Sequence, residues 1–436
     1  MSTVSVIVPT RDGRRFLERC LPALEGSRLP PGWALEVLLV DNGSRDGTAA
    51  WAARFPRVRV LAFDRPLGFA AANNAARGAA RGEVIAFLNN DTAPEPEWLV
   101  RPLALLAGDP GVAAVGAKLL FMHRFVPVTI RATDGAPVLV GEAVHGGPLD
   151  GKVRWPAGAA RRRAGGALLR ELPPGAAVHL PIPLPGLDAP ARRPVLRLAG
   201  RGGPVALEVP GRAPLRLGER PGIAPLELEG AVTMDLIQNA GTALTAHGEG
   251  SDAGAGEPDG PRWSREEVVP ALCGAALLAR RTALDRAGWF PPYYTMYYED
   301  TDLSLRLRRL GLLVFCPGSR VRHYHTGTSR EGSPAFVEHV ARSTLLFAAR
   351  HGAPALAVRT FARRARDVVH ECRAAAPGGL DAVWRAPGTR GSLRALSALP
   401  AVLVDRLRGE GGGPLDLPRR PYAGSAAAAA AARAAG

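Results

Sequence analysis

Four short stretches carry side chains whose type and spacing could do chemistry. Asn89-Asn90-Asp91 follows the apolar run Val84–Leu88 and precedes Thr92 and Pro94. A carboxylate on a strand-end loop can reach a divalent cation, which in turn neutralises a diphosphate. The same residues also make an ordinary turn with Asn and Asp as caps. Asp41, before Asn42-Gly43-Ser44, has the same placement and could accept hydrogen bonds from a ribose or a base. Glu299-Asp300-Thr301-Asp302 opens a helix with apolar positions Leu303, Leu307 and Leu310. As a helix start, Asp300 is an N-cap and Asp302 pairs with Arg306 one turn on. As chemistry, the aromatic run Trp289, Phe290, Tyr293, Tyr294, Tyr297 and Tyr298 suits packing against a sugar face. An adjacent carboxylate could then deprotonate a hydroxyl. His323 and His325 flank Tyr324 at strand-like alternation, so they face opposite ways and one of the two is expected to be a ligand.

The elements that must position these residues alternate strand and helix over the first 120 residues. Val4–Val8 is a short apolar run stopped by Pro9, and Asp12 is placed to cap a helix with the face Phe16, Leu17, Cys20, Leu21 and Leu24. Strands are expected at Leu35–Val40, Val58–Phe63, Val84–Leu88 and Val112–Ala117, and helices at Thr48–Phe55, Phe69–Ala80 and Glu97–Ala107. Repeated units of this length imply a parallel sheet with helices on both faces. Ligands of such sheets bind at the carboxyl ends of the strands, so one edge should carry Asp12, Asp41 and Asp91.

From about Phe125 to Val232, Pro and Gly punctuate short runs such as Val178–Leu184, Pro194–Leu198 and Val205–Val209, which read as a small β-rich insertion. It holds no clustered carboxylates or metal-spaced His and is assigned no chemistry. A flexible Gly-rich loop, Gly248–Gly260, is expected after it. The α/β character returns from Val268, with a strand or helix start at Leu272–Leu278, an Arg-rich helix to Leu310 and a strand at Leu312–Phe315. Beyond Pro334 the chain reads as helical, with basic amphipathic stretches at Ala355–Val369 and Leu393–Leu407. The expected domains are 1–124, 125–232, 233–335 and 336–424, followed by a low-complexity, disordered Ala-rich tail at 425–436.

The 436 residues carry a net charge of +15. The excess Arg is spread along the chain, densest after about residue 300, with no aromatic-interleaved basic block. A phosphate-rich small ligand and an anionic membrane surface therefore rank ahead of nucleic acid, which is not expected as a partner. The four cysteines, Cys20, Cys273, Cys316 and Cys372, lack CxxC spacing and read as small buried hydrophobes of a reducing compartment. The first strand opens without a basic leader, and no apolar run reaches the roughly 18–20 residues that cross a bilayer. A cytoplasmic protein is expected, or one lying on the inner face of the plasma membrane without spanning it.

Taken in order, these motifs resemble family 2 glycosyltransferases of the rhamnosyltransferase-like branch. The match is carried by Val4–Pro9, the run from Leu39 to Thr48, Pro66-Leu67-Gly68-Phe69 with Asn74, and Phe87 to Thr92. It continues with Cys273-Gly274-Ala275, the run from Tyr297 to Leu303, and His325 before Gly327 and Ser329. It covers roughly residues 1–122 and 233–350. The resemblance implies a GT-A fold, a nucleoside-diphosphate-sugar donor, Mg²⁺ or Mn²⁺, and inverting transfer to a glycan or polyprenyl-linked acceptor in cell-envelope polysaccharide synthesis. It further implies Asp91 as the metal ligand, His325 as the second metal or diphosphate contact, and Asp300 as catalytic base with Glu299 beside it. Pro9, Thr10, Asp12, Asp41, Gly68, Asn74 and Asn90 would line the nucleotide-sugar pocket. Asn89 departs from the family's D-x-D motif by replacing its first acid. The insertion lies outside the core pattern, and the Q-x-x-R-W signature of processive synthases is absent, which implies single-sugar addition.

Two other readings stand beside this one. A sugar-phosphate nucleotidyltransferase shares the nucleotide half but carries a Gly-rich basic loop where Pro9-Thr10-Arg11-Asp12 stands here with the single Gly13. A non-catalytic carbohydrate-binding or scaffold protein would need no convergence of Asp91 with Asp300.

Overall fold

The computed structural model describes residues 1–132, 138–141, 143–144, 147–148, 157–164, 167–183, 195–198, 205–217, 222–225, 230–245, 250–324, 332–375, 379–411, 415 and 417–424. The chain forms two compact units, one of residues 1–119, 239–253 and 261–436 and one of 120–238 and 254–260.

The larger unit begins with β1 (Ser2–Thr10), α1 (Arg14–Glu25), β2 (Trp33–Asn42), α2 (Thr48–Ala52), β3 (Val58–Phe63), α3 (Phe69–Ala75), β4 (Val84–Leu88), β5 (Thr92–Pro94), α4 (Val100–Gly108) and β6 (Val112–Phe121). After the excursion come β7 (Glu267–Val268), β8 (Ala276–Arg280), α5 (Arg281–Ala287), α6 (Glu299–Leu307) and β9 (Leu312–His323). Helices α7 (Pro334–His351), α8 (Pro354–Ala375), α9 (Gly379–Arg385) and α10 (Pro387–Leu407) follow, and β10 (Arg420–Pro421) closes the chain's described strands. The sheet order is β10-β7-β9-β6-β8-β4-β1-β2-β3, with β5 on β9.

Only part of this sheet is the expected parallel one. β4, β1, β2 and β3 run parallel, but β8 is antiparallel to both β4 and β6, so the sheet is mixed. Periodicity identifies a buried strand; it does not say from which end a strand enters after a long excursion. The parallel strands are nearly continuous apolar runs because both faces are covered. Val4, Val6 and Val8 share a core with Leu17, Cys20, Leu21 and Leu24 of α1 and Leu103 and Leu106 of α4. Phe87 is packed by the rings of Trp289 and Phe290, at centroid distances of 5.7 and 4.7 Å. Truncating a side chain so enclosed costs about 3–5 kcal/mol.

Helices α2, α3 and α4 are shorter or later than expected, ending at Ala52 and Ala75 and starting at Val100. Asp12 does not cap α1. The N-cap is Gly13, without a side-chain bond, and Asp12 adopts a left-handed φ of 48° with its carboxylate accepting from the Arg45 amide at 2.7 Å. Nor is Asp300 the N-cap of α6, a place taken by Tyr298. The segment expected as a Gly-rich loop contains a strand, Gly250–Asp252, paired with Thr242–Leu244 and tied to Asn239 through Asp252.

The smaller unit is antiparallel. Ala177–Pro183, Phe125–Ala132, Val205–Glu208 and Leu215–Leu217 form one sheet in that order. Its buried positions alternate, as Val126, Val128 and Ile130 face Leu180 and Ile182 at the strands' shared register. A second sheet joins Arg161–Ala164, Ala167–Leu172, Val138–Gly141, Val195–Leu198 and Gly222–Pro225.

Candidate active site

The carboxyl ends of β4, β1 and β2 carry the first group of site residues. Parallel register sets Thr10 beside Asp41, and β1 lies between β2 and β4. The Asn90 amide donates to the Thr10 hydroxyl at 2.8 Å, joining two of these ends directly. A side chain at position 13 would collide with both groups, so Gly13 is required by close approach. Asp41 accepts from the Ser44 amide at 3.0 Å, and the Ser44 hydroxyl accepts from the Asp12 amide at 2.9 Å. Two hydrogen-bonded sets, Asn90 with Thr10 and Asp12 with Asp41 through Ser44, thereby lie side by side at the strand ends; Pro9, within β1, is adjacent to them. Gly68 and Asn74 belong to a different contact. The Phe69 amide donates to the Thr295 carbonyl at 3.0 Å, and the Asn74 side chain bonds the Phe290 backbone at 2.7 and 3.2 Å. They fix the aromatic segment against α3.

Asp91 is buried, and its Oδ1 lies 3.1 Å from Nε2 of His323. The strand pairing of β5 with β9 sets His323 opposite Thr92, while the Tyr324 amide donates to the Asp91 carbonyl at 3.0 Å. His323 was one of two candidates in the sequence and is the one the structure sets against Asp91. His325 lies outside the described residues. Among the described residues no cluster of three or more His, Cys, Asp or Glu could hold a metal unaided. The donor set nonetheless suits a hard divalent cation that completes its shell with phosphate oxygens and water. Asn89 Oδ1, on the same turn, is a buried acceptor with no hydrogen-bond partner, as a ligand-facing amide would be.

The second group begins α6. Tyr297 and Tyr298 hold left-handed φ values of 68° and 66° immediately before Glu299, a strained entry that concentrates at functional sites. Asp300 Oδ2 accepts from the Gly274 amide at 2.8 Å and Oδ1 from the Thr301 amide at 2.6 Å. Burial raises the Asp300 pKa, and these two amides act against the rise. Glu299 is 6% exposed and its Oε2 has no hydrogen-bond partner. Burial, reinforced by neighbouring Asp300 and Asp302, pushes its carboxyl up to about 8. Glu299 is therefore a neutral acid at pH 7 beside an Asp300 carboxyl cradled by amides.

Two consecutive residues join the groups. Gly274 donates to Asp300, and the Ala275 carbonyl accepts from the Asn89 amide at 3.0 Å. β8 then continues antiparallel along β4, with Ala276 opposite Leu88. The turn bearing Asp91 and the helix start bearing Asp300 thus converge through neighbouring peptide units.

The aromatic run is not a sugar platform in the way its composition suggested. Trp289, Phe290 and Tyr294 are each 1% exposed and belong to the core. Tyr297 and Tyr298 are half-buried, against Phe336 and Phe347. A loop lacks the periodicity that separates inward from outward positions in a strand or helix. The predicted Asp302–Arg306 pair does form, at 2.7 Å and fully buried. Asp302 also meets His351 at 2.7 Å and Arg350 at 3.3 Å, bonding α6 to the end of α7. Burial alone would raise the Asp302 pKa, but Arg306, His351 and Arg350 outweigh it and hold the group far below the usual carboxylate range. His351 is distant from Asp302 in the chain and belongs to no motif, so only the fold reveals the contact.

Residues 5–123 match the family model described as glycosyl transferase family 2. The chain is 35% identical to the glycosyltransferase AglE of Haloferax volcanii over 124 residues, 28% of this chain and 40% of that protein. It is 26% identical to an N-acetylglucosaminyl-diphospho-decaprenol L-rhamnosyltransferase of Mycobacterium tuberculosis over 349 residues, 79% of this chain and 84% of that one. The relatives matched at 35–43% identity are spanned over only 11–40% of their own length. Among solved structures, GalNAc-T7 with UDP, GalNAc and Mn²⁺ aligns with a TM-score of 0.44 and 14% identity, covering 80% of this chain and 50% of that one. The architecture is α/β, with a central mixed sheet and a helical carboxyl-terminal region.

Proposed function

We propose that this chain, which carries a glycosyl transferase family 2 domain over residues 5–123, is an inverting, non-processive glycosyltransferase. The observation that supports the reading is the pair of adjacent peptide contacts, Gly274 to Asp300 and Ala275 to Asn89, which brings the Asp300 carboxyl toward the turn that carries Asp91. Asp300 takes the proton of an acceptor hydroxyl as its oxygen attacks the anomeric carbon of a nucleoside-diphosphate sugar. The bond from that carbon to the diphosphate breaks on the opposite face, so the configuration inverts and the nucleoside diphosphate leaves. Residues 1–124 form the donor half and 233–335 the acceptor half in this reading. Thr10, Asp12, Asp41 and Asn90 hold the nucleotide, while Gly68 and Asn74 shape the donor pocket by anchoring the segment at 290–295. Asp91, with His323 alongside and His325 from the family pattern, would hold Mg²⁺ or Mn²⁺. When bound, such an ion neutralises charge on the leaving diphosphate.

The name of the mycobacterial relative makes rhamnose the first donor sugar to test and a polyprenyl-linked saccharide the first acceptor. A lipid-linked acceptor would place the work at the cytoplasmic face of the membrane, in cell-envelope polysaccharide synthesis. The test is a screen of dTDP-, UDP- and GDP-sugars with Mg²⁺ or Mn²⁺, following nucleotide release and, with acceptor, the anomeric configuration of the product. One donor should turn over, with inversion, and chelation should stop it. A retained configuration would reject the mechanism. Saturable glycan binding without turnover of any donor would leave a carbohydrate-binding protein as the better reading.

A further inference from the structure

Helices α8 and α10 pack on α7 and touch each other, yet both leave apolar side chains outside. On α10 the inner positions Ala395, Ala398 and Val402 share a core with Leu345, Leu346 and Ala349 of α7. The outer positions Leu393, Leu396, Leu403 and Leu407 are 42%, 53%, 49% and 88% exposed. With exposed Pro400 they recur every three or four residues, one line along the helix. On α8, Val358 and Val369 are 68% and 49% exposed, with exposed Ala362 and Ala365 spaced between them in the same way. Trp384, on α9, is 59% exposed. Exposed apolar side chains aligned in this way along two helices mark an interaction face.

Charge identifies what that face meets. Residues 354–411 hold ten Arg against five acids. The acids are engaged: Asp405 and Glu410 with Arg350, Asp381 with Arg385, Asp367 with Arg364, and Glu371 with the Thr389 amide. Exposed Arg359, Arg366 and Arg373, seven residues apart, edge the apolar line of α8. A second copy of the chain would oppose this row with its own arginines, whereas an anionic bilayer complements it. An apolar stripe bordered by Arg with a Trp nearby is the composition of a helix lying in a membrane interface. No helix among the described residues is long and apolar enough to span.

We propose that the outer face of α8 and α10 is a docking surface for an anionic phospholipid bilayer, the leucine line of α10 entering the interface and the Arg row of α8 meeting headgroups. Its use, presenting the site to a lipid-linked acceptor, rests on the transferase reading; vesicle binding is measured without sugar transfer, so the two can fail separately. The experiment floats the full chain on vesicles of phosphatidylcholine alone or mixed with phosphatidylglycerol, at low and high salt. The chain should float with the anionic vesicles and far less with neutral ones, and salt should weaken binding. A Leu396→Glu/Leu403→Glu variant should lose about tenfold or more in partitioning. An Arg359→Ala/Arg366→Ala/Arg373→Ala variant should lose severalfold and much of its salt dependence. All five positions are exposed, so circular dichroism and donor turnover should match the parent; if the glutamates impair folding, the arginine variant carries the test. Equal binding to neutral vesicles, or parental binding by the variants, would overturn the proposal. So would a dimer in light scattering that the glutamate variant dissolves, which would give the face to a second copy.

Discussion

Asp91 and the Glu299-Asp300 pair stand on the same edge of one sheet, yet their surroundings differ in kind. Asp91 is buried among polar partners, with a histidine on its carboxylate and an unsatisfied amide oxygen on its turn. Glu299 is buried with no donor to its outer oxygen, and burial holds the proton on it. Two residues further on, Asp302 is still more enclosed but charged, because Arg306, Arg350 and His351 converge on it. Burial alone therefore does not set a carboxyl's state; the matched donors around it do. Within one helical turn the chain keeps a neutral acid, an amide-cradled carboxyl and a structural anion.

Substituting Asp300→Asn should break the contrast most severely. Under the proposed mechanism it removes the proton acceptor while keeping shape, and should lower turnover by about 10²–10⁴-fold with donor affinity largely kept. Turnover and donor binding measured together check this, and near-normal turnover would remove Asp300 from the role of base. Asp91→Ala should act at the other corner, lowering activity by about 10–100-fold, weakening donor binding and blunting the response to Mg²⁺ or Mn²⁺. A metal titration of donor binding separates the two variants, which should not resemble each other.

Glu299→Gln should have the smallest effect near pH 7, since the amide imitates the protonated acid. Its signature is in stability. The folded group keeps its proton up to about 8, whereas the ordinary value is 4.5. The folded chain thus binds more protons than the unfolded one across that interval, and this group makes stability fall as pH rises through it, levelling above. Denaturant melts of parent and variant from pH 4.5 to 8 should diverge in slope. Parallel curves would mean that Glu299 is ionised like Asp302.

Much of this edge was legible in the chain. Apolar runs ending in Asp41 and Asn89-Asn90-Asp91 fix acids at strand ends, and the helical spacing of Phe16, Leu17, Cys20, Leu21 and Leu24 names the buried face of α1. What could not be read depended on partners far away in sequence. β8 runs against β4 because of a return after more than a hundred residues, and Trp289 and Phe290 are core because Phe87 lies beneath them. Asp12 looks like a cap until the Arg45 amide is seen to occupy it. His323 and His325 are equivalent by alternation, and only the β5–β9 register sets the first beside Asp91.

The bond pair at Gly274 and Ala275 has a consequence for how such a chain can change. The two acid corners are held in register by neighbouring peptides and the β4–β8 ladder, not by the covalent path between residues 119 and 239. That path is free to grow, shrink or be exchanged for an unrelated module without retuning the spacing of the acids. A β-rich excursion in the middle of the domain is what this tolerance permits.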